Sequence, residues 1–158
     1  VQARGMGINF LLSVLLLVWI ADIAAYFAGR ALGQRFIKVK LAPSISPGKS
    51  WEGALGGAVG VMLMAVLWVQ CDAQRQPDSL SLFSHLAQGG WALLVLATLF
   101  LTAMSVLGDL VESLIKRSAG VKDSSQLLPG HGGVLDRIDA LVPTLPLAMM
   151  LVSSVTVI

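Results

Sequence analysis

Four apolar segments, at about residues 8–29, 53–70, 91–115 and 140–158, restrict this chain to very few folds. At a rise of about 1.5 Å per residue each makes a helix roughly 27–38 Å long, enough to cross a hydrocarbon core of about 30 Å. Hydrophobic residues make up 56% of the chain and charged residues only 13%, about half the usual share for a soluble domain. The expected class is therefore all-α: a polytopic membrane protein of about four transmembrane helices, forming one transmembrane domain over residues 1–158. The first segment is too long for a signal-peptide core, contains Asp22 and lacks a small-residue cleavage site, so it reads as a span. The chain begins at Val1, which suggests a segment of a longer protein. A single cysteine, Cys71, excludes an intrachain disulfide and a CxxC metal site.

Charge sets the orientation. If all four segments span, stretches 30–52 and 116–139 share one side and hold nine of the eleven Lys and Arg residues, leaving only Arg4 and Arg75 opposite. The positive-inside rule makes these two basic loops cytoplasmic.

The chemistry concentrates in Ser113 to Asp139. Lys116, Arg117, Lys122, Asp123, His131, Asp136, Arg137 and Asp139 surround a Gly-rich turn at Gly130 to Gly133. Such a mixture suits a polyphosphate with its metal ions: cations neutralise phosphate oxygens, Asp ligates Mg2+, and glycine lets backbone N–H groups come close. Upstream, Asp109, Glu112 and Lys116 are spaced by three and four and share one helical face. For Glu112, a plain ion pair with Lys116 competes with a functional role.

In the first segment Asp22, Tyr26 and Arg30 fall on one stripe. An acid at that depth needs a polar cavity or a cationic partner, and pairing with Arg30 is the simplest structural explanation. Pro43 and Pro47 predict an irregular loop before the second helix, with Ser50 as its cap and Trp51 at the interface. Pro47-Gly-Lys-Ser50 resembles the tail of a Walker A loop, but Pro43 stands where the first glycine is required, and the match fails. Gly53, Gly56, Gly57 and Gly60 give overlapping GxxxG spacings that serve packing, within the chain or in a homodimer. Residues 71–90 read as a polar outer loop with His85 on its surface, and Pro143 and Pro146 are expected to kink or open the last helix near its start.

The run from Ser113 through Lys116, Arg117, Lys122, Asp123, Ser125, Pro129, His131, Gly132, Gly133, Asp136, Arg137 and Asp139 resembles, without gaps, the signature of the phosphatidate cytidylyltransferases. Asp22 to Arg30, Ser46 to Gly53 and Ser105 to Ser113 resemble further blocks of that family in the same order. Members carry additional helices before the first block, so the chain resembles a C-terminal half. Gly48 departs from a lysine common among relatives. No Asp-Gly pair occurs, which separates the chain from the CDP-alcohol phosphotransferases.

The resemblance implies condensation of CTP with phosphatidate to CDP-diacylglycerol and pyrophosphate, in phospholipid biosynthesis. It implies Mg2+, one or two ions, with a second ion of another kind as a variant. The implied metal ligands are Asp109, Asp136 and Asp139. Catalytic roles fall to Asp109, Lys116, Arg117, Lys122, His131, Asp136 and Arg137, and substrate binding to Asp22, Arg30, Ser46, Lys49, Asp123, Gly132 and Gly133. The partners are CTP and membrane phosphatidate, with no nucleic acid. The active site belongs at the cytoplasmic face, most naturally of a bacterial inner membrane. Two competing readings are an ion or proton transporter carried by intramembrane carboxylates, and a cytidylyltransferase for another lipid phosphate.

Overall fold

A computed structural model describes residues 3–33, 35–75, 77–121, 124–125 and 135–156. The elements are α1 (Ala3–Leu32), β1 (Lys40–Ala42), β2 (Ser46–Ser50), α2 (Trp51–Arg75), α3 (Leu82–Gln88), α4 (Trp91–Ser118), α5 (Leu135–Ile138) and α6 (Leu141–Thr156). Among the described residues, three helices are long and apolar enough to cross a membrane: Gly7–Leu32, Trp51–Arg75 and Trp91–Ser118. The expected fourth span is the shorter α6, of 16 residues. Pro143 sits in its first turn, where a missing N–H is tolerated, and the helix continues through Pro146.

Burial follows from helical spacing. Phe10, Val14, Leu17, Val18 and Ala21 form one stripe of α1 that meets Val61 and Ala65 of α2, Leu94 and Leu101 of α4, and Ala148 and Val152 of α6. The outward stripes are apolar too: Leu55, Val59, Leu63 and Leu67, four apart on α2, are each about 60% exposed. Side chains of that kind facing outward require a lipid solvent, and the chain is an integral membrane protein.

The most extensive helix pair is α1 with α2. Its seam is small against small. A Cβ added at Gly53 would lie 3.0 Å from the Ala25 carbonyl oxygen, at Gly57 2.8 Å from the Ala21 oxygen, and at Gly60 2.6 Å from the Ala24 Cβ. The glycine face is thus occupied by α1. Because the obstacle at Gly57 is backbone that cannot rotate away, Gly57→Val should lower the unfolding midpoint in detergent, costing about 1–3 kcal/mol by overpacking. Gly48→Ala, with open space around its Cβ position, is the matched control and should leave the midpoint unchanged.

Two stretches depart from expectation. The 31–52 connection contains an antiparallel ribbon, with Lys40 opposite Ser50 and Ala42 opposite Ser46. Pro47 is compatible with it because a two-stranded ribbon leaves edge N–H positions unused. The segment 71–90 is also more than a polar loop. Here α2 continues to Arg75, and α3 is capped by Ser81 and buries Leu82, Phe83 and Leu86. Asp72, only 9% exposed, accepts hydrogen bonds from Asn9 (3.1 Å), Ser81 N (3.1 Å) and Ser84 Oγ (2.6 Å), tying α1, α2 and α3 together. His85 is half-buried rather than on the surface, with Nδ1 2.9 Å from the Ser81 carbonyl.

Candidate active site

At the end of the bundle where α1 finishes and α2 begins, α1, the ribbon and α4 enclose a cavity of about 380 Å³. From α1 it is lined by Asp22, Tyr26 and Arg30, from the ribbon by Lys49, and from α4 by Asp109. Asp22 therefore has the polar cavity its depth demands, with Lys49, Asp109 and Asp139 as its charged neighbours. Arg30 does not pair with it among the described contacts; its Nη1 donates to Tyr26 Oη one turn back at 2.9 Å.

The ribbon carries Lys49 across to α4. Pairing of β1 and β2 fixes its backbone, and Ser50 Oγ accepts from Gly53 N at 3.1 Å, starting α2 as a cap does. Lys49 Nζ then reaches Asp109 Oδ2 at 2.5 Å. The neighbouring Glu52, 7% exposed, accepts from Phe36 N (3.1 Å) and Ile37 N (2.8 Å), so it holds the connection in place. Ser46 pairs with Ala42 at the other end of the ribbon and does not line the cavity.

Beyond Asp109 lies a second, carboxylate-rich group. Oxygens of Asp109, Glu112 and Asp139 all fall within 4.8 Å of one another. The reason is Gly108: a Cβ there would stand 2.7 Å from Pro143 Cγ and 2.8 Å from the Asp139 carbonyl oxygen. Only glycine lets the start of α6 approach α4 so closely. Asp139 Oδ1 accepts from Ala140 N at 2.7 Å, which orients the carboxylate at that junction. Burial pushes the Asp139 carboxyl above the ordinary carboxylate range; the Asp109 charge adds to the rise, while the Ala140 N–H and the Lys116 and Lys49 cations oppose it.

Lys116 is enclosed by acids. Its Nζ lies 2.6 Å from Glu112 Oε2 and 2.6 Å from Asp136 Oδ1. Asp136 further accepts from Ser124 N at 3.1 Å and Ser124 Oγ at 2.9 Å, both on Oδ2. Asp136 is thus bound to a lysine and a loop serine, while the convergent acids are Asp109, Glu112 and Asp139. Arg117 is exposed on the last turn of α4. Lys122, Asp123, His131, Gly132 and Gly133 lie outside the described residues, and Arg137 is placed only by its backbone in α5.

Spacing alone left Glu112 undecided and gave no reason to single out Gly108 or Ser124. A glycine directly before an acid inside an apolar helix was the available signal for Gly108.

The described part of the site holds five carboxylates, Asp22, Asp109, Glu112, Asp136 and Asp139, against the cations Arg30, Lys49 and Lys116. Three hard oxygen donors in one place, with negative charge in excess, are a donor set that fits Mg2+.

A sequence model described as the cytidylyltransferase family matches residues 1–155. The chain is 49% identical over 140 residues to a phosphatidate cytidylyltransferase of Haemophilus influenzae, covering 89% of this chain and 44% of that protein. It is 46% identical over 138 residues to the Pseudomonas aeruginosa protein of the same name, covering 87% of this chain and 45% of the relative. With the Staphylococcus epidermidis protein of that name, identity is 41% over 150 residues, covering 95% and 51%. The chain therefore spans about half the length of the curated relatives it matches. A family model matching nearly every residue, joined to a site that unites the Asp22, Lys49 and Asp109 blocks, makes this chain a member of the cytidylyltransferase family.

Proposed function

We propose that this chain provides the catalytic centre of a phosphatidate cytidylyltransferase, joining CTP to phosphatidate and releasing pyrophosphate. The observation that carries this reading is the position of Asp109. It borders the cavity that Arg30 and Lys49 also line, pairing there with Lys49, and it belongs to the carboxylate group shared with Glu112 and Asp139. One residue thus borders a place suited to a lipid phosphate and a place suited to a metal-bound triphosphate.

In the reaction a phosphatidate oxygen forms a bond to the α-phosphorus of CTP as the bond to the pyrophosphate oxygen breaks. A phosphomonoester has its second pKa near 6, so the nucleophile is largely ionised at neutral pH and needs no strong base. What the protein must overcome is repulsion between two polyanions, and positioning with charge neutralisation is the means. Arg30 and Lys49 face the cavity and would hold the lipid phosphate there, with the acyl chains remaining in the bilayer. Asp109, Glu112 and Asp139 would hold Mg2+, and Asp136 borders the same group. When bound, the ion supplies charge neutralisation on the phosphate oxygens. Lys116, ion-paired to Glu112 and Asp136, positions those acids. The basic last turns of α1 and α4 support a site at the cytoplasmic face, where CTP is available, and the bacterial relatives favour an inner membrane.

The test uses the full-length protein in vesicles with labelled CTP, with and without phosphatidate and Mg2+. Incorporation into lipid that needs both, and its loss in Asp109→Asn with the unfolding midpoint largely kept, is the expected result. A folded protein that incorporates nothing overturns the proposal, and cation flux without nucleotide would establish the transporter reading instead.

A further inference from the structure

The described residues between α1 and the ribbon carry a surface that the proposed reaction does not use. Arg35, Phe36, Ile37, Lys38, Val39 and Lys40 lie between the end of one span at Leu32 and the start of another at Trp51, and therefore at one bilayer boundary. Phe36 is 73% exposed and Val39 67%. The backbone N–H groups of Phe36 and Ile37 are held by the buried Glu52 carboxylate at the first turn of α2, which fixes this stretch of chain against the bundle with Phe36 facing outward. Trp51, 44% exposed, stands at the same level. Cations alternate with the apolar groups, and residues 31–51 contain no carboxylate at all.

An exposed aromatic and aliphatic pair suits the boundary between headgroups and acyl chains, where apolar side chains leave water while neighbouring Lys and Arg remain at phosphate level. A stretch with cations only and no acid is complementary to an anionic leaflet, to which juxtamembrane basic residues are attracted. We propose that residues 35–40 form a docking strip for anionic phospholipid, with Phe36 and Val39 inserted at the interface and Arg35, Lys38 and Lys40 on lipid phosphates. The strip continues into Lys40–Ala42 of the ribbon, and Leu41 lines the mouth of the cavity, so anionic lipid enriched on it is gathered beside the entrance.

The experiment reads lipid contact and not turnover. Full-length protein bearing Val39→Cys, with Cys71 and every other cysteine replaced by Ser, is labelled at position 39 with an environment-sensitive fluorophore. It is reconstituted in phosphatidylcholine vesicles containing phosphatidylglycerol, with bromine atoms carried by one lipid or the other. No nucleotide or phosphatidate is present, so the outcome is independent of the proposed activity. Quenching per mole of brominated phosphatidylglycerol should exceed that of brominated phosphatidylcholine at least about twofold, and the ratio should fall towards one in high salt, as for charges near an anionic surface. Adding Arg35→Gln, Lys38→Gln and Lys40→Gln should abolish the preference while quenching persists. Should that triple variant fail to fold, the salt titration of the parent decides alone. Equal quenching by the two lipids at low salt, a preference that survives high salt, or no quenching by either lipid would overturn the proposal.

Discussion

Replacing Lys116 with Met should both loosen this protein and disable it. The Lys116 ammonium lies 2.6 Å from each of two carboxylates, and the side chains of Lys116, Glu112 and Asp136 are only 18%, 8% and 14% exposed. Removing the cation leaves two enclosed acids facing each other without the ammonium that lies between them. Loss of one partner from a buried ion pair costs about 3–5 kcal/mol, and partial access of water here favours the lower end. For a chain of this size that corresponds to a fall of roughly 5–10 °C in the unfolding midpoint. CTP incorporation should drop at least about a hundredfold, because positioned charge provides most of the acceleration in such a site. Arg at this position should recover much of the stability, since the positive charge is kept. The decisive comparison is Lys116→Met/Asp136→Asn, which removes one acid as well: its midpoint should lie above that of the single variant. A single variant as stable as the parent would show that the bridge does not organise this end of the bundle.

The distribution of these effects explains how far the sequence could be read. Long apolar runs declare helices whatever their neighbours are, so α1, α2 and α4 were legible, as was the capping role of Ser50. The common face of Asp109, Glu112 and Lys116 follows from helical spacing and is present. The ribbon was not legible, because three and five residues broken by Pro43, Pro47 and Gly48 carry no alternating pattern. Nor was α3, whose seven residues bury Leu82, Phe83 and Leu86 within a stretch dominated by polar neighbours. In the site, contacts within a helix could be foreseen and contacts between elements could not. Lys49 meets Asp109 only because the ribbon folds back over α4. Asp139 joins Asp109 only because Gly108 admits Pro143. Lys122, Asp123 and the His131 turn, prominent in the sequence, fall outside the described residues, so their roles rest on the resemblance and the proposed reaction.

Asp109→Asn carries the largest expected effect on chemistry with a small one on folding. The substitution keeps the size and shape of the side chain, and its amide can still accept the weak 3.4 Å hydrogen bond from Ser113 Oγ. It removes the negative charge that Lys49 meets at 2.5 Å, but both side chains are already a quarter to a third exposed, so water can solvate the freed ammonium. The unfolding midpoint should therefore move by no more than a few degrees, as for a partly exposed ion pair worth about 1 kcal/mol or less. Activity should respond very differently. Of the three acids whose oxygens gather within 4.8 Å, Asp109 alone also borders the cavity, so in the proposed reaction it is the acid that would hold Mg2+ beside a phosphate bound there, where the ion would supply charge neutralisation. An amide oxygen is a much poorer Mg2+ donor than a carboxylate. A loss of about a thousandfold in kcat corresponds to roughly 4 kcal/mol, within reach of one lost metal ligand at a reacting phosphate. Half-saturation by Mg2+ should move to higher concentration at the same time. Lys49→Gln leaves the three acids intact and should instead raise the KM for phosphatidate, with little change in the Mg2+ requirement. If Asp109→Asn retains a tenth or more of the parent's turnover with an unchanged Mg2+ response, then Asp109 is a partner for Lys49 and nothing more, and the metal must be held elsewhere.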